Sequence, residues 1–221
     1  MMKPRLVISL AFVAIILAMS GNTPTTSAAT VRPPQVTPAE ALQRLLEGNS
    51  RYVSGHPEHP NDRPSAAPQH PIAVILSCSD SRVPPEIIFD QGIGDVFVVR
   101  VAGNTYDKML LETIEFGVEN LGARLILVMG HDQCGAVTAA VKAYPDPHAG
   151  EMIKNIYPAV KDAKDAQGDR VSAAISINAV LVAARLAAEP QLSHLVAQGK
   201  LKILPARYEM ESGRVKILGG E

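Results

Sequence analysis

Residues 72–82 read IAVILSCSDSR, an apolar run followed at once by a thiol, a carboxylate and a guanidinium. A short continuous apolar run of this kind is consistent with a buried β-strand. Cys78, Asp80 and Arg82 therefore emerge together where the predicted strand ends. Asp80 and Arg82 are alternate residues of an extended segment, so they project from the same side and can pair.

A second apolar run of the same kind occurs further along the chain. Residues 125–135 read LILVMGHDQCG, so this predicted strand is followed by His131 and Cys134. In open α/β sheets, ligands bind beyond the carboxyl ends of the strands, where neighbouring strands would bring Cys78, His131 and Cys134 together. Two thiolates and one imidazole suit zinc and leave a fourth position for water. We expect one Zn²⁺ per chain.

The two cysteines also allow a simpler interpretation. The chain contains no others, and in an oxidising compartment Cys78 and Cys134 could form a disulfide. Asp80, Arg82 and His131 would then lie beside them by coincidence.

Three motifs resemble those of the β-class carbonic anhydrases. They are CSDSR at residues 78–82, VRVAGN at 99–104 and GHDQCGA at 130–136. The resemblance extends from Thr37 to the C-terminus. It implies reversible hydration of carbon dioxide to bicarbonate and a proton, with zinc hydroxide as the nucleophile. Two alternatives remain: a carbon disulfide hydrolase of the same fold, and a non-catalytic exported zinc-binding protein.

The resemblance also implies residue roles. Cys78, His131 and Cys134 would be the zinc ligands, and Asp80 with Arg82 would be the catalytic dyad. In some relatives this aspartate takes the fourth zinc position in a closed state. Gln91 and Gly135 would contact the substrate, the latter through its N–H at a helix start. Asp132, beside the metal motif, could support the ligands or be merely exposed, and of the two we expect an exposed side chain.

Some bacterial relatives bind bicarbonate at a second, inhibitory site, and this sequence lacks most of its side chains. Arg100 matches that site, whereas Ile75, Ser77 and Phe116 stand where it uses tryptophan, glycine and tyrosine. We therefore expect an open site at neutral pH, with Asp80 paired to Arg82.

The remaining pattern predicts an α/β fold: a mostly parallel β-sheet flanked by helices, with an antiparallel edge. A helix is expected to begin at Thr37, through a capping box, and to run to Tyr52. Further helices are predicted, among them those over residues 107–121 (with Phe116 inward), 152–166 and 171–188, the last of these buried. A hairpin is expected around Ser212 and Gly213.

The first 29 residues have the pattern of a secretory signal peptide. Basic residues precede an uncharged apolar run, and small residues precede the expected cleavage after Ala29. We expect export to the periplasm, with residues 30–221 forming a single domain that has an N-terminal helical arm. The net charge of −1 gives no reason to expect nucleic acid as a partner, and no membrane association is expected after cleavage. By resemblance, the arm would pack on a partner subunit in a homodimer or homotetramer.

Overall fold

Five strands form one sheet in the order β2-β1-β3-β4-β5. They are β1 (Ala73–Ser77), β2 (Val96–Arg100), β3 (Leu125–His131), β4 (Lys202–Tyr208) and β5 (Val215–Ile217). The first four are parallel, and β5 runs antiparallel to β4 at one edge. This confirms the predicted mostly parallel sheet with an antiparallel edge. The computed structural model describes residues 36–59 and 68–219; the predicted signal peptide lies outside them.

The central strands β1 and β3 are buried along their whole length, as their continuous apolar sequences predict. Ser77 at the end of β1 is aligned with Arg100 of β2 and with Met129 of β3. β1 ends at Ser77, whereas β3 continues two residues past Met129 to His131, so Cys78 and the end of β3 lie side by side at the carboxyl edge of the sheet. This register places the two predicted motifs next to each other.

The helices cover both faces of the sheet. They are α1 (Pro38–Ser54), α2 (Pro85–Ile88), α3 (Lys108–Glu119), α4 (Gly135–Ala143), α5 (Glu151–Lys154), α6 (Tyr157–Asp162), α7 (Arg170–Ala188) and α8 (Pro190–Ala197), with a 3₁₀ turn at Ala163–Asp165. Alternate strand residues face opposite sides. Val74 and Leu76 pack with residues of α3, α7 and α8, whereas Ala73 and Ile75 pack with α1 and α2.

The start of α1 follows the sequence prediction. The Thr37 hydroxyl accepts from the Glu40 N–H, and the Glu40 carboxylate accepts from the Thr37 N–H. This capping box satisfies two donors that a helix start otherwise leaves unpaired. The helix ends at Ser54, with Gly55 in the left-handed conformation (φ 74°).

Three expectations need correction. The helix predicted over residues 152–166 is broken into α5, α6 and the 3₁₀ turn, because Pro158 has no N–H to donate to Lys154 and instead lies in the first turn of α6. The strand β3 continues through Gly130 to His131 instead of ending before them. Phe116 is 47% exposed, although its ring packs beside that of Phe97.

Helix α7 is the one helix in the described parts of the chain that is long and apolar enough to cross a membrane. Its contacts identify it as a core helix. Seven of its residues are buried, and it packs against β3, β4, the helices α4, α6 and α8, and the 3₁₀ turn. The predicted helix is present and one of its faces is buried, whereas Val180 on another face is 41% exposed.

Candidate metal centre

Three side chains with metal-binding atoms meet at the carboxyl edge of the sheet. Cys78 follows β1, His131 is the last residue of β3, and Cys134 is the N-cap of α4. Their ligand atoms all lie within 4.8 Å of one another, and all three residues are buried. Within the described residues, this is the one such group of three or more histidine, cysteine or acidic side chains that could hold a metal ion.

The spacing of the two sulfur atoms fits a metal better than a disulfide. The Cys78 and Cys134 Sγ atoms are 4.0 Å apart and both thiols are free, whereas a disulfide needs about 2.05 Å. Two sulfurs bound tetrahedrally to zinc at about 2.3 Å each would lie about 3.8 Å apart. The donor set and its spacing therefore suit zinc.

His131 presents one ring nitrogen to this group. Its Nδ1 atom lies 2.8 Å from the main-chain carbonyl oxygen of Asp132, which holds the proton on Nδ1. The Nε2 atom is buried and has no hydrogen-bond partner among the described residues. A buried nitrogen without a partner is costly, and a metal ion at this position would satisfy it.

The two sulfur atoms differ in their hydrogen bonds to the backbone. The Gly103 N–H donates to Cys78 Sγ at 3.4 Å, whereas Cys134, the N-cap of α4, accepts no capping hydrogen bond through its side chain. The hydrogen bond shared by the two thiols lowers the pKa of Cys78, with further lowering from His131 and Gly103. The same shared proton, together with burial, raises the pKa of Cys134. One thiolate therefore forms readily, and a cation is needed to stabilise the second.

Asp80 and Arg82 form a bidentate ion pair beside the three ligands. Arg82 donates from Nε to Asp80 Oδ1 at 3.0 Å and from Nη2 to Oδ2 at 2.8 Å. These hydrogen bonds hold the pKa of Asp80 well below its usual range. The Asp80 Oδ2 atom also lies 4.0 Å from His131 Nε2. An ionised carboxylate therefore stands next to the unpartnered nitrogen.

Arg100 supports the loop that carries these groups. Its guanidinium donates from Nε to the carbonyl oxygen of Cys78 at 3.0 Å and from Nη2 to that of Asp80 at 2.6 Å. The sequence identified Arg100 only as part of a bicarbonate site. In the structure, the Arg100 guanidinium instead donates to the main-chain carbonyl groups on either side of Ser79.

The two predicted substrate contacts lie in different settings. Gln91 donates from Nε2 to the carbonyl oxygens of Phe89 and Asp90, and it lines a cleft of about 550 Å³ together with Tyr52 and other residues. Gly135 begins α4 directly after the candidate ligand Cys134, and the space where a Cβ would stand is open. The substrate roles of Gln91 and Gly135 stay predictions.

Asp132 differs from its expected exposure, and its partner was missed. Its carboxylate accepts from Arg207 Nε at 2.7 Å, and its side chain is only 25% exposed. Arg207 also donates to the Ser172 carbonyl and to the hydroxyls of Ser172 and Ser176 on α7. Sequence reasoning gave no signal for Arg207, because it lies in β4, far along the chain from His131.

Comparison with known proteins identifies the family. The carbonic anhydrase family model matches residues 73–215. Carbonic anhydrase 2 of Mycobacterium tuberculosis is 38% identical over 198 residues, covering 83% of this chain and 94% of that protein. A carbonic anhydrase of Mycolicibacterium smegmatis is 35% identical, covering 83% and 95%.

A solved structure supports the same assignment. The Coccomyxa β-carbonic anhydrase in complex with acetazolamide aligns with a TM-score of 0.62 and 26% identity, covering 81% of this chain and 82% of that one. The fold, the three converging ligand residues and these matches agree. The chain therefore belongs to the β class of the carbonic anhydrases, a family of zinc-dependent enzymes.

Proposed function

We propose that this protein catalyses the reversible hydration of carbon dioxide to bicarbonate and a proton, using one zinc ion held by Cys78, His131 and Cys134. The observation that carries the proposal is the convergence of three buried ligand atoms within 4.8 Å. The ion pair of Asp80 and Arg82 beside them supplies the charge arrangement that the reaction needs.

Zinc, when bound, supplies a Lewis acid that lowers the pKa of a water ligand to about 7. The protein contributes the remaining conditions. Two thiolates would neutralise the charge of the cation, and all three ligand residues are buried. Three protein ligands leave one coordination position open to solvent and substrate.

Asp80 would act on the reacting water. Because its carboxylate is ionised and held by Arg82, it can accept a hydrogen bond from that water and orient a lone pair toward carbon dioxide. Gly135 would offer its N–H to a bicarbonate oxygen. The pairing with Arg82 also favours the open arrangement, in which Asp80 stays off the metal.

The direct test is stopped-flow hydration of carbon dioxide by the zinc-loaded protein. We expect turnover that is saturable in carbon dioxide and depends on zinc. Zinc-loaded protein without hydration activity would contradict the proposal, and a parallel assay with carbon disulfide would identify that alternative directly. Stoichiometric zinc with neither activity would favour the non-catalytic zinc-binding protein.

We also propose that the chain forms a homodimer or homotetramer. Large apolar side chains are exposed on this protomer, with Met109 at 75%, Ile87 at 61% and Ile93 at 60%. Exposed apolar surface of this kind is typical of protein–protein contacts. Sedimentation analysis should give a mass of two or four chains, and a fully active monomer at micromolar concentration would contradict this.

For location, we propose export to the periplasm after removal of residues 1–29. The support is the order of basic, apolar and small residues at the start of the sequence. N-terminal sequencing of the protein isolated from the periplasmic fraction should begin at Thr30. Recovery of full-length protein from the cytoplasm would contradict the proposal.

A further inference from the structure

The core helix α7 carries one buried amide that the proposed reaction does not use. Its buried residues are Ala174, Ile175, Asn178, Ala179, Val182, Ala183 and Leu186. Asn178 is the polar member of this stripe and is only 2% exposed. A buried amide is costly unless it is hydrogen-bonded, so its partner indicates why a polar residue is found there.

Asn178 contacts the turn that follows β2. Its Nδ2 atom donates to the carbonyl oxygen of Gly103 at 2.8 Å, and this hydrogen bond is buried. The N–H of the same glycine donates to Cys78 Sγ at 3.4 Å. Gly103 is therefore held by Asn178 through its carbonyl group while it contacts the proposed zinc ligand through its N–H.

The turn itself has little freedom. It is closed by a hydrogen bond from the Asn104 N–H to the Val101 carbonyl, and Gly103 has a φ of +77°, which a turn of this kind requires at its third residue. A Cβ on Gly103 would lie 2.6 Å from Ile156 Cδ1 and 3.3 Å from Ala136 Cβ. The backbone at Gly103 thus passes closely between the side chains of Ile156 and Ala136. The hydrogen bond from Asn178 to the Gly103 carbonyl restrains it further.

We infer that Asn178 is a positioning residue for the zinc ligand Cys78. It holds Gly103 where its N–H meets the sulfur, so that the thiolate keeps one orientation and one hydrogen bond. Outer partners of this kind orient metal ligands and adjust how strongly they donate to the metal. The inference rests on the proposed function in one respect, namely that Cys78 binds zinc.

The chain offers a matched control. Asn49 on α1 is also a buried asparagine, and its Nδ2 atom donates to two main-chain carbonyl groups, those of Ile88 and Gly213. In the described part of the chain, the sulfur atoms and the imidazole of the proposed ligands make their hydrogen bonds with residues other than Ile88 and Gly213. Asn49→Ala therefore removes a similar side chain without touching the turn at Gly103.

The experiment compares zinc release from the zinc-loaded protein to an excess of a colorimetric chelator. We expect Asn178→Leu and Asn178→Ala to release zinc on the order of 10-fold faster than the unmodified protein. Asn49→Ala should release zinc at the same rate as the unmodified protein, even if its melting temperature falls as much as that of the Asn178 variants. In cobalt-substituted protein, the sulfur-to-cobalt charge-transfer band should shift in the Asn178 variants and not in Asn49→Ala.

The outcomes separate this inference from the proposed function. Unmodified protein that holds no zinc through Cys78 would overturn both. Unmodified protein that holds stoichiometric zinc, with Asn178 variants matching Asn49→Ala in release rate and cobalt spectrum, would overturn the positioning role alone. If Asn178→Leu does not fold, Asn178→Ala, which introduces no larger apolar group, decides between these outcomes.

Discussion

The Nδ1 atom of His131 lies 2.8 Å from the carbonyl oxygen of Asp132, the next residue in the chain. This contact directs Nε2 toward the two sulfur atoms. The side chain of Asp132 is held in turn by Arg207. Arg207 of β4 thus holds the side chain of the residue whose carbonyl group pairs with the imidazole.

The first prediction concerns that arginine. Arg207→Leu should weaken zinc binding by about 10-fold, because Asp132 loses its partner and Ser172 and Ser176 lose their donor. Competition with a chelator of known affinity measures the change. Lys216→Met is the control. Lys216 lies on the edge strand β5, and its substitution removes an ion pair with Glu209. Ion pairs at exposed positions contribute little to stability. Equal zinc affinity in both variants would contradict the role of Arg207.

The second prediction concerns the ligand set. Cys134→Ala should not retain stoichiometric zinc after dialysis and should lose hydration activity, because only two of the three proposed ligands remain. Zinc content is measured by atomic absorption against protein concentration. A Cys134→Ala protein that keeps one zinc per chain would show that the metal is bound elsewhere.

The third prediction separates chemistry from metal binding at Asp80. Asp80→Asn should keep zinc but lower kcat on the order of 100-fold, because a neutral amide is a poorer acceptor for the reacting water and no longer pairs with Arg82. Zinc content and stopped-flow rates are measured on the same preparation. Near-normal turnover would mean that Asp80 is structural.

The fourth prediction concerns acid stability at Asp90. Burial raises the pKa of this carboxyl, but hydrogen bonds from the Glu58 N–H, Arg51 and the His59 N–H lower it below its usual value overall. A carboxyl with a lowered folded-state pKa stabilises the protein above its unfolded pKa of about 3.9, and this contribution is lost as the pH falls through the folded value.

Asp90→Asn should therefore lower the free energy of unfolding at pH 7 by about 1 to 3 kcal/mol. The difference from the unmodified protein should shrink as the pH falls below about 3.9. Urea denaturation of both proteins at a series of pH values measures it. We expect zinc loss in acid to affect the two proteins alike. The informative quantity is therefore the difference between their free energies of unfolding at each pH. A difference that stays constant with pH would contradict the assignment.

Most of the fold was predictable because its signals are local. The apolar runs of β1 and β3, the capping box at Thr37 and the hairpin at Gly213 each require only neighbouring residues. The break at Pro158 was also visible in the sequence. The exposure of Phe116 was not, because it depends on which face of α3 the sheet covers.

In the candidate site, too, some residues could be predicted from local sequence signals and others could not. The sequence places Cys78 and His131 at strand ends, and the register of β1 with β3 then brings them together. The supporting residues could not be located from the sequence, because Arg207 and Asn178 act across elements that are distant in the chain. For Asn178, the one signal was a polar residue in the middle of an otherwise apolar buried stripe.

The pairing of β1 with β3 also links metal binding to folding. Cys78 reaches His131 and Cys134 only after these strands align, so the unfolded chain offers no comparable site. A ligand that binds the folded state alone stabilises it by mass action, by about 1.4 kcal/mol for each tenfold rise in free ligand above its dissociation constant. The zinc level around the protein would then control how much of it stays folded as well as how much is active.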